Sequence, residues 1–410
     1  MENRVVVTGL GVASSLGCDP ETVYENAING VCKIKVVEGL PEELKVKIAS
    51  PMDESFDPLK YIKKRDVRRM DKFAQYAVYA ANQAYEDAGL NPDVVNAEDF
   101  GVIIGSGMGG MRTFADDLHI AWTKGINKIP PMFVPMIIPN MAAGNVAIAL
   151  DAQNHCSCTS TACSAGTNAI GDAFEWIKMG RAKVMAAGGS EAGVGDLTLS
   201  GFNALTALSR NPDPLTACRP FDLNRDGFVL GEGAGVLILE ELEHAKARGA
   251  KIYAEVVGYG SMCDAHHITA PSGKGAVNGI KQAIKEANIQ PSDIDYINAH
   301  GTSTPINDVF ETNAIKEVFG EDAYNVSISS TKSMHGHALG GAGGIESLLT
   351  VKTIENGIIP PTINYQTPDP ECDLDYTPNV AKKRDVTYAM NNSLGFGGHN
   401  AFVIFRKYGE

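Results

Sequence analysis

Cysteine is scarce in this chain, with eight residues among 410. That is too sparse for the disulfide framework of a small secreted scaffold, so reduced thiols are expected. No run of eighteen or more uncharged apolar residues occurs, which argues against a membrane-spanning helix. The opening MENRVVVTGLGV enters a strand pattern at once, without a basic segment and an apolar signal core, so the expectation is a cytoplasmic protein with no membrane partner. Positive charge is in deficit as well: 35 Lys and Arg stand against 49 Asp and Glu, a net charge of −14. This balance is the wrong sign for displacing counterions from a nucleic acid. The paired C-x-x-C spacing of common zinc sites is also missing, and no metal is expected.

What is present is an ordinary globular composition, 44% hydrophobic and 20% charged, in a chain long enough for two domains or one duplicated unit. RVVVTGLGV (4–12) and FGVIIGSGMGG (100–110) read as β-branched strands running into glycine turns. KFAQYAVYAANQAYEDAGL (72–90) reads as a helix with a glycine stop, and AKVMAAGGSEAG (182–193) as a buried strand. Strands alternating with helices predict a layered α/β protein.

CTSTACSAGTNAIGDAF (158–174) places Cys163 at a strand-to-helix junction, because Ile170, Ala173, Phe174 and Ile177 follow at helical spacing and Gly180 closes the element. Unsatisfied N–H groups and the positive end of a helix dipole favour a thiolate there and predict a lowered pKa. The competing reading is a packed core thiol. A second glycine-to-helix passage, HALGGAGGIESLLTVKTIENG (337–357), echoes the first at an offset of 177. Ala165, Gly166, Ile177 and Gly180 meet Ala342, Gly343, Ile354 and Gly357. GEGAGVLILEE (231–241) and GFGGHNAFVIF (395–405) echo one another too. The expectation is a duplication joined near residues 250–252, with halves 1–250 and 251–410.

His300 in INAHGTSTPINDVFE (297–311) ends a strand pattern at a forced turn, and SSTKSMHGHALGGAGGIE (329–346) supplies Lys332, His335 and His337 before the second echoed helix. Two histidines at such positions opposite a helix-mouth cysteine suggest a site. In KYIKKRDVRRMDK (60–72), seven basic residues stand against two aspartates, either a solvated helix face or a dock for an acidic partner. Cys156, Cys158 and Ser160 read as small residues alternating along one strand, with His155 beside them.

TAC, NAHGTSTP, TKSMHGH…GGAGGIE and NSLGFGGHN together resemble the motifs of the β-ketoacyl-acyl carrier protein synthases, the decarboxylating condensing enzymes of fatty-acid synthesis, and most closely their elongating type. The resemblance runs from VVVTGLGV through RPFDLNRDGFVLGEGAG to the last strand pattern. It implies a thiolase-like fold, two α/β halves in five layers (αβαβα), and a homodimer. By the same resemblance Cys163 is the nucleophile that carries the acyl chain, and His300 and His337 assist malonyl decarboxylation. Lys332 organises the site with Glu346 as its companion, and Asp308 and Glu311 support it. The N–H groups of Cys163 and Phe396 form an oxyanion hole, and Phe396 doubles as a gate.

The resemblance further implies an acyl pocket from Gly107, Met108, Ala162 and Phe202, with Ile137 reaching in from a partner subunit, and pantetheine contacts from Thr302 and Thr304. No cofactor is held by the chain itself; phosphopantetheine arrives on acyl carrier protein, docked by Lys63, Lys64, Arg65, Arg68 and Arg69 with Lys124, Lys128 and Arg210. Two histidines favour elongation over starter condensation, and GFGGHN lacks the second cysteine of a thiolase. The chain departs from the family pattern at NHCSCTSTAC, which has no Gly-Pro pair, and at His335, where threonine is common. The rival reading is a noncatalytic acyl-carrier or metal-binding scaffold.

Overall fold

The Val- and Gly-rich opening forms strand β1 (Val5–Ser14), buried along its whole length. Runs of this kind, without polar alternation, belong to sheets covered on both faces. The computed structural model describes residues 2–409. Four more strands of the same ten-stranded sheet follow in the first half: β2 (Phe100–Gly105), β3 (Cys156–Ser157), β4 (Val184–Glu191) and β5 (Gly233–Glu241). The second half supplies β6 (Ala254–Cys263), β7 (Tyr296–Asn298), β8 (Ser327–Ser329), β9 (Tyr388–Gly395) and β10 (His399–Arg406).

Their hydrogen-bonded order is β8-β7-β9-β10-β6-β1-β5-β4-β2-β3. Outward from the centre the first half reads 1-5-4-2-3 and the second 6-10-9-7-8, the same order displaced by five strands. In each half the three outer strands are parallel and the inner two run antiparallel to their neighbours. Only residues 5–7 of β1 and 254–256 of β6 join the two halves of the ladder.

Six helices repeat the same pattern: α1 (Lys72–Asp87), α2 (Met141–Leu150) and α3 (Ala165–Lys178), then α4 (Lys274–Ala287), α5 (Pro305–Phe319) and α6 (Ala342–Asn356). α1 packs on β1, β5 and β4 with α2 beside it, and α4 packs on β6 and β10 with α5 beside it. Between the halves, α3 touches β2 and β4 on one side and β10 on the other, while α6 touches β5, β4 and β9. The result is the five-layered αβαβα arrangement of a thiolase-like fold.

The echoed glycines have a steric cause. A Cβ at Gly166 of α3 would sit 2.8 Å from the Gly340 carbonyl, one at Gly343 of α6 would sit 2.5 Å from the Thr167 nitrogen, and one at Gly344 would sit 2.1 Å from the Gly235 carbonyl. Backbones touch at these points, and no side chain fits between them. Gly180 and Gly357, the other echoed pair, follow the ends of α3 and α6 with φ of +73° and +66°, the left-handed stop that glycine adopts without strain. α1 is capped by the Asp71 carboxylate, which accepts the Phe73 N–H at 3.1 Å, and it ends three residues short of the 72–90 span that the sequence suggested.

The cysteine-rich segment departs from expectation. Only Cys156 and Ser157 are in a strand, at the sheet edge, so Cys156, Cys158 and Ser160 do not share one strand face. Cys156 is exposed, and the half-buried Cys158 thiol points to the Thr159 carbonyl at 3.7 Å. Among the described residues no three His, Cys, Asp or Glu gather as metal ligands, and no helix is long and apolar enough to cross a membrane.

The halves also lock through Gly171 on α3, against which the Tyr259 ring of β6 lies so closely that a Cβ would come within 2.1 Å of it. Gly171→Ala should destabilise the fold by about 1–3 kcal/mol through overpacking, read as a lower urea midpoint. An unchanged midpoint would mean that the ring yields freely.

Candidate active site

Parallel strands in α/β sheets present their carboxyl ends to ligands, and here four such ends converge. The loop after β2 carries Gly107 and Met108, and the loop after β3 carries Cys163. The loop after β7 carries His300, and the one after β8 carries Lys332 and His337. In the duplicated order Cys163 and His337 occupy equivalent places, each between a short strand and the helix of the central layer.

Cys163 lies in a tight turn, Ala162–Ser164, that runs directly into α3. Ala162 is held at φ +51°, a strained left-handed conformation that turns the cysteine toward the cavity. The backbone N–H groups of Phe396 and of Cys163 itself are directed at its sulfur. Gly395 allows this approach: a Cβ there would lie 2.8 Å from the Thr161 carbonyl and 3.3 Å from the Cys163 nitrogen. Beyond Phe396, Gly397 and Gly398 take φ of +83° and +76°. The Phe396 ring stays 36% exposed at the mouth.

The electrostatics correct one expectation. Burial pushes the Cys163 thiol up to about 12, and the nearby Glu191 carboxylate opposes ionisation further; Lys332 and the two N–H groups pull the other way without prevailing. Desolvation of the sulfur outweighs the helix terminus. Cys163 rests as a thiol.

His300 and His337 are both buried, with ring centroids 5.3 Å apart at 85°. Burial first, then the Lys332 charge and a neighbouring imidazole, holds both well below the usual histidine range, so both rings are neutral. Their backbone is fixed from outside the cavity. Glu311 on α5 accepts the N–H groups of His300 and Gly301, each at 2.8 Å, and Asn392 donates to the same carboxylate. The His337 N–H donates to the Val229 carbonyl at 2.8 Å, and the Phe228 ring stands edge-on to its imidazole at 5.5 Å. Both ring nitrogens of His337 and Nδ1 of His300 have no hydrogen-bond partner.

Lys332 is wholly buried beneath the imidazoles and pairs with the Glu346 carboxylate. Burial pushes Glu346 up to about 7 in spite of that cation. Asp308 acts further out: it accepts the Phe221 N–H at 2.9 Å and faces Arg225 at 3.6 Å, holding the 219–225 segment against α5. His335 meets the Thr331 hydroxyl at 3.1 Å and is not part of the cavity wall.

These groups open onto one cavity of about 600 Å³. Cys163, His300, His337 and Phe396 line it, as do Gly107, Met108, Ala162 and Phe202 on the acyl side and Thr302 and Thr304 on the other. Lys332 and Ile137 do not: the lysine sits behind the histidines, and Ile137 belongs to the short helix Phe133–Ile137, whose end accepts the Gly110 N–H. The sequence reading missed Phe228 and Glu191. Phe228 lies in a glycine-rich loop without periodicity, and Glu191 reads as the end of a strand.

A thiol held near 12 keeps gaining thiolate with pH, so iodoacetamide alkylation of Cys163 should rise without a plateau through pH 10. A midpoint near pH 8.5 that levels off by about pH 10, as for an unperturbed thiol, would contradict the desolvation described here.

The model for the Beta-ketoacyl synthase N-terminal domain matches residues 2–245, and that for the Beta-ketoacyl synthase C-terminal domain matches residues 253–366. The 3-oxoacyl-[acyl-carrier-protein] synthase 2 of Staphylococcus aureus (strain COL) is 50% identical over 408 residues, covering 99% of this chain and 98% of the relative. Its namesake in Synechocystis sp. is 48% identical over 410 residues, covering 99% of each. Among solved structures, a ketosynthase bound to the hexaketide, in complex with its type II PKS acyl-carrier protein, aligns at 39% identity and TM-score 0.92 over 100% of both chains. A beta-ketoacyl synthase from Burkholderia phymatum STM815 aligns at 34% identity and TM-score 0.92 over 99% of this chain and 100% of that one. With a cysteine and two neutral imidazoles on one desolvated cavity, and relatives of this closeness along its whole length, the chain belongs to the β-ketoacyl synthase family of condensing acyltransferases.

Proposed function

We propose that this chain elongates acyl chains by two carbons through a decarboxylative Claisen condensation with malonyl-acyl carrier protein. The observation that carries the reading is the pair of neutral, unpartnered imidazoles beside a cysteine on one cavity.

The Cys163 sulfur attacks the thioester carbonyl of an acyl-carrier; the carbon–sulfur bond to phosphopantetheine breaks, the proton of Cys163 goes to the departing thiolate, and the chain remains as an acyl-cysteine. Malonyl-carrier then enters with its thioester oxygen facing His300 and His337. Breaking the carbon–carbon bond to the carboxylate releases CO₂ and leaves the electron pair as an enolate, whose oxygen accepts the imidazole N–H groups. Neutral rings suit this task, because each keeps a donor without bringing a proton acidic enough to quench the carbanion. The enolate carbon attacks the acyl-Cys163 carbonyl, and the N–H groups of Cys163 and Phe396 take the tetrahedral oxyanion. Collapse expels the thiolate of Cys163, which regains a proton, and a 3-oxoacyl-carrier departs.

Phosphopantetheine is therefore substrate and not a resident group, with the Thr302 and Thr304 hydroxyls, 2.9 Å apart on the cavity wall, as its contacts. Lys63, Lys64, Arg65, Arg68 and Arg69 are all exposed around the short helix Lys64–Val67, as are Lys124, Lys128 and Arg210. Among the described residues, only Arg65 of this set has a salt-bridge partner, Asp66. Unpaired cations of this density on a chain of net charge −14 suit an acidic carrier. A homodimer in the cytoplasm is the proposed setting. The outer side of edge strand β3 is unpaired, and Ile148 on the adjoining α2 is 79% exposed, surface that a second copy would cover. A monomeric mass by light scattering would remove the dimer.

Acyl-carrier should label Cys163 stoichiometrically, and malonyl-carrier should then form a carbon–carbon bond. Cys163→Ala should abolish both steps. His337→Ala should keep the labelling and slow condensation by about a hundredfold to a thousandfold, the effect of one lost oxyanion donor. Labelling without bond formation in the wild-type chain would leave only the carrier scaffold. Reversing Lys63 and Arg68 to Glu should raise KM for acyl-carrier severalfold and leave acyl-CoA thioesters unaffected, with the difference shrinking in high salt.

A further inference from the structure

Glu191 closes β4 directly beneath the acyl side of the cavity, wholly buried. Its Oε1 accepts the Ser106 hydroxyl at 2.9 Å and the Met108 N–H at 3.2 Å; its Oε2 accepts the Gly107 N–H at 2.7 Å and the Gly340 N–H at 3.1 Å. The first three donors come from the loop after β2, which floors the acyl side. The fourth comes from the other half of the molecule, in the turn that runs from His337 into α6. Glycine is required at both ends of this clamp, since a Cβ at Gly107 or Gly340 would meet the Glu191 oxygen at 3.0 or 2.8 Å.

No Lys, Arg or His pairs with this carboxylate among the described residues. Four donors favour the ionised form, but burial is the larger effect and pushes the group up to about 7. Its charge opposes ionisation of two thiols, Cys163 and Cys158. The Lys332 ammonium, backed by Glu346, also acts on Cys163; Asp226 and Asp264 line the same cavity, and His300 and His337 face it as neutral rings.

We propose that Glu191 is a positioning residue for the condensation: it ties the acyl-side loop of the first half to the histidine-bearing turn of the second, and its negative charge adds to the burial that disfavours a second anion at Cys163 before a substrate carbonyl arrives. This rests on the assignment of Cys163 as nucleophile. A sulfur with a high pKa is less abundant as thiolate, which shields it from oxidation, yet is more nucleophilic once deprotonated. The clamp explains why a carboxylate without a counter-ion is tolerated so near an anionic reaction: its lone pairs hold two loops in register.

Two variants test the role. In Glu191→Gln the side chain keeps its volume, loses its charge and turns an NH₂ toward backbone donors. Iodoacetamide alkylation of Cys163 at pH 7.5 should rise about threefold to tenfold, the thiolate gain from a pKa lower by half a unit to one unit. In the same variant kcat for condensation should fall about tenfold or more, with KM for acyl-carrier within about twofold. Ser106→Ala removes one donor, favours the neutral carboxyl and should speed alkylation in the same direction, about twofold. This milder change decides the question if the Gln variant does not fold.

Opposite movement of alkylation and condensation at an unchanged urea midpoint supports the proposal; the same movement with a lowered midpoint is the mark of a loosened fold that hydrates the buried sulfur, and would overturn it. A parallel fall in both variants, an unchanged alkylation profile, or faster alkylation with unaltered kcat would overturn it. A wild-type chain that alkylates but never condenses would overturn the proposed reaction instead.

Discussion

Backbone contact between the two central helices is the constraint on which the rest depends. Gly343 on α6 meets the Thr167 nitrogen of α3, and Gly166 on α3 meets Gly340 in the turn that opens α6, at distances that no β-carbon could occupy. Because the helices start against one another, the turns that precede them are brought to the same place, and those turns carry Cys163 and His337. A larger residue at any of these glycines would separate the helices before it disturbed either side chain. The chemistry thus rests on the absence of side chains in the layer behind it.

Desolvation then sets the character of every group in the cavity. The same burial that keeps both imidazoles neutral also keeps the cysteine protonated and lifts Glu191 and Glu346 toward neutrality. Lys332 is the cation that acts on both imidazoles and on Cys163, and with Glu346 against it the pair is nearly neutral when seen from outside. A cavity of this kind suits a reaction whose charges exist only in transit, first on an enolate oxygen and then on a tetrahedral one. Fixed N–H donors stabilise such charges more strongly where water is excluded.

Duplication supplied two equivalent frames, and the residues diverged within them. The loop after β2 presents glycine and methionine to the cavity, whereas its counterpart after β7 presents His300 and two threonines. The turn before α3 carries Cys163, and the turn before α6 carries His337. The outer layers show a parallel division: Glu311 on α5 fixes the His300 backbone from outside, while Glu191 does comparable work at the interface of the halves.

Much of this was legible in the amino-acid order. Apolar runs, the glycine stops at 180 and 357 and the echo at 177 residues mark a duplicated α/β chain, because strand and helix periods and left-handed stops are local properties. Cys163, His300, Lys332 and His337 could be singled out because each follows a strand pattern at a turn. Tertiary structure alone decided the direction of the Cys163 pKa, the clamp formed by Glu191, the edge-on Phe228 and the short course of the strand at Cys156. These depend on which atoms water can reach and on partners more than a hundred residues away. A local pattern carries no record of that burial until the two halves have closed.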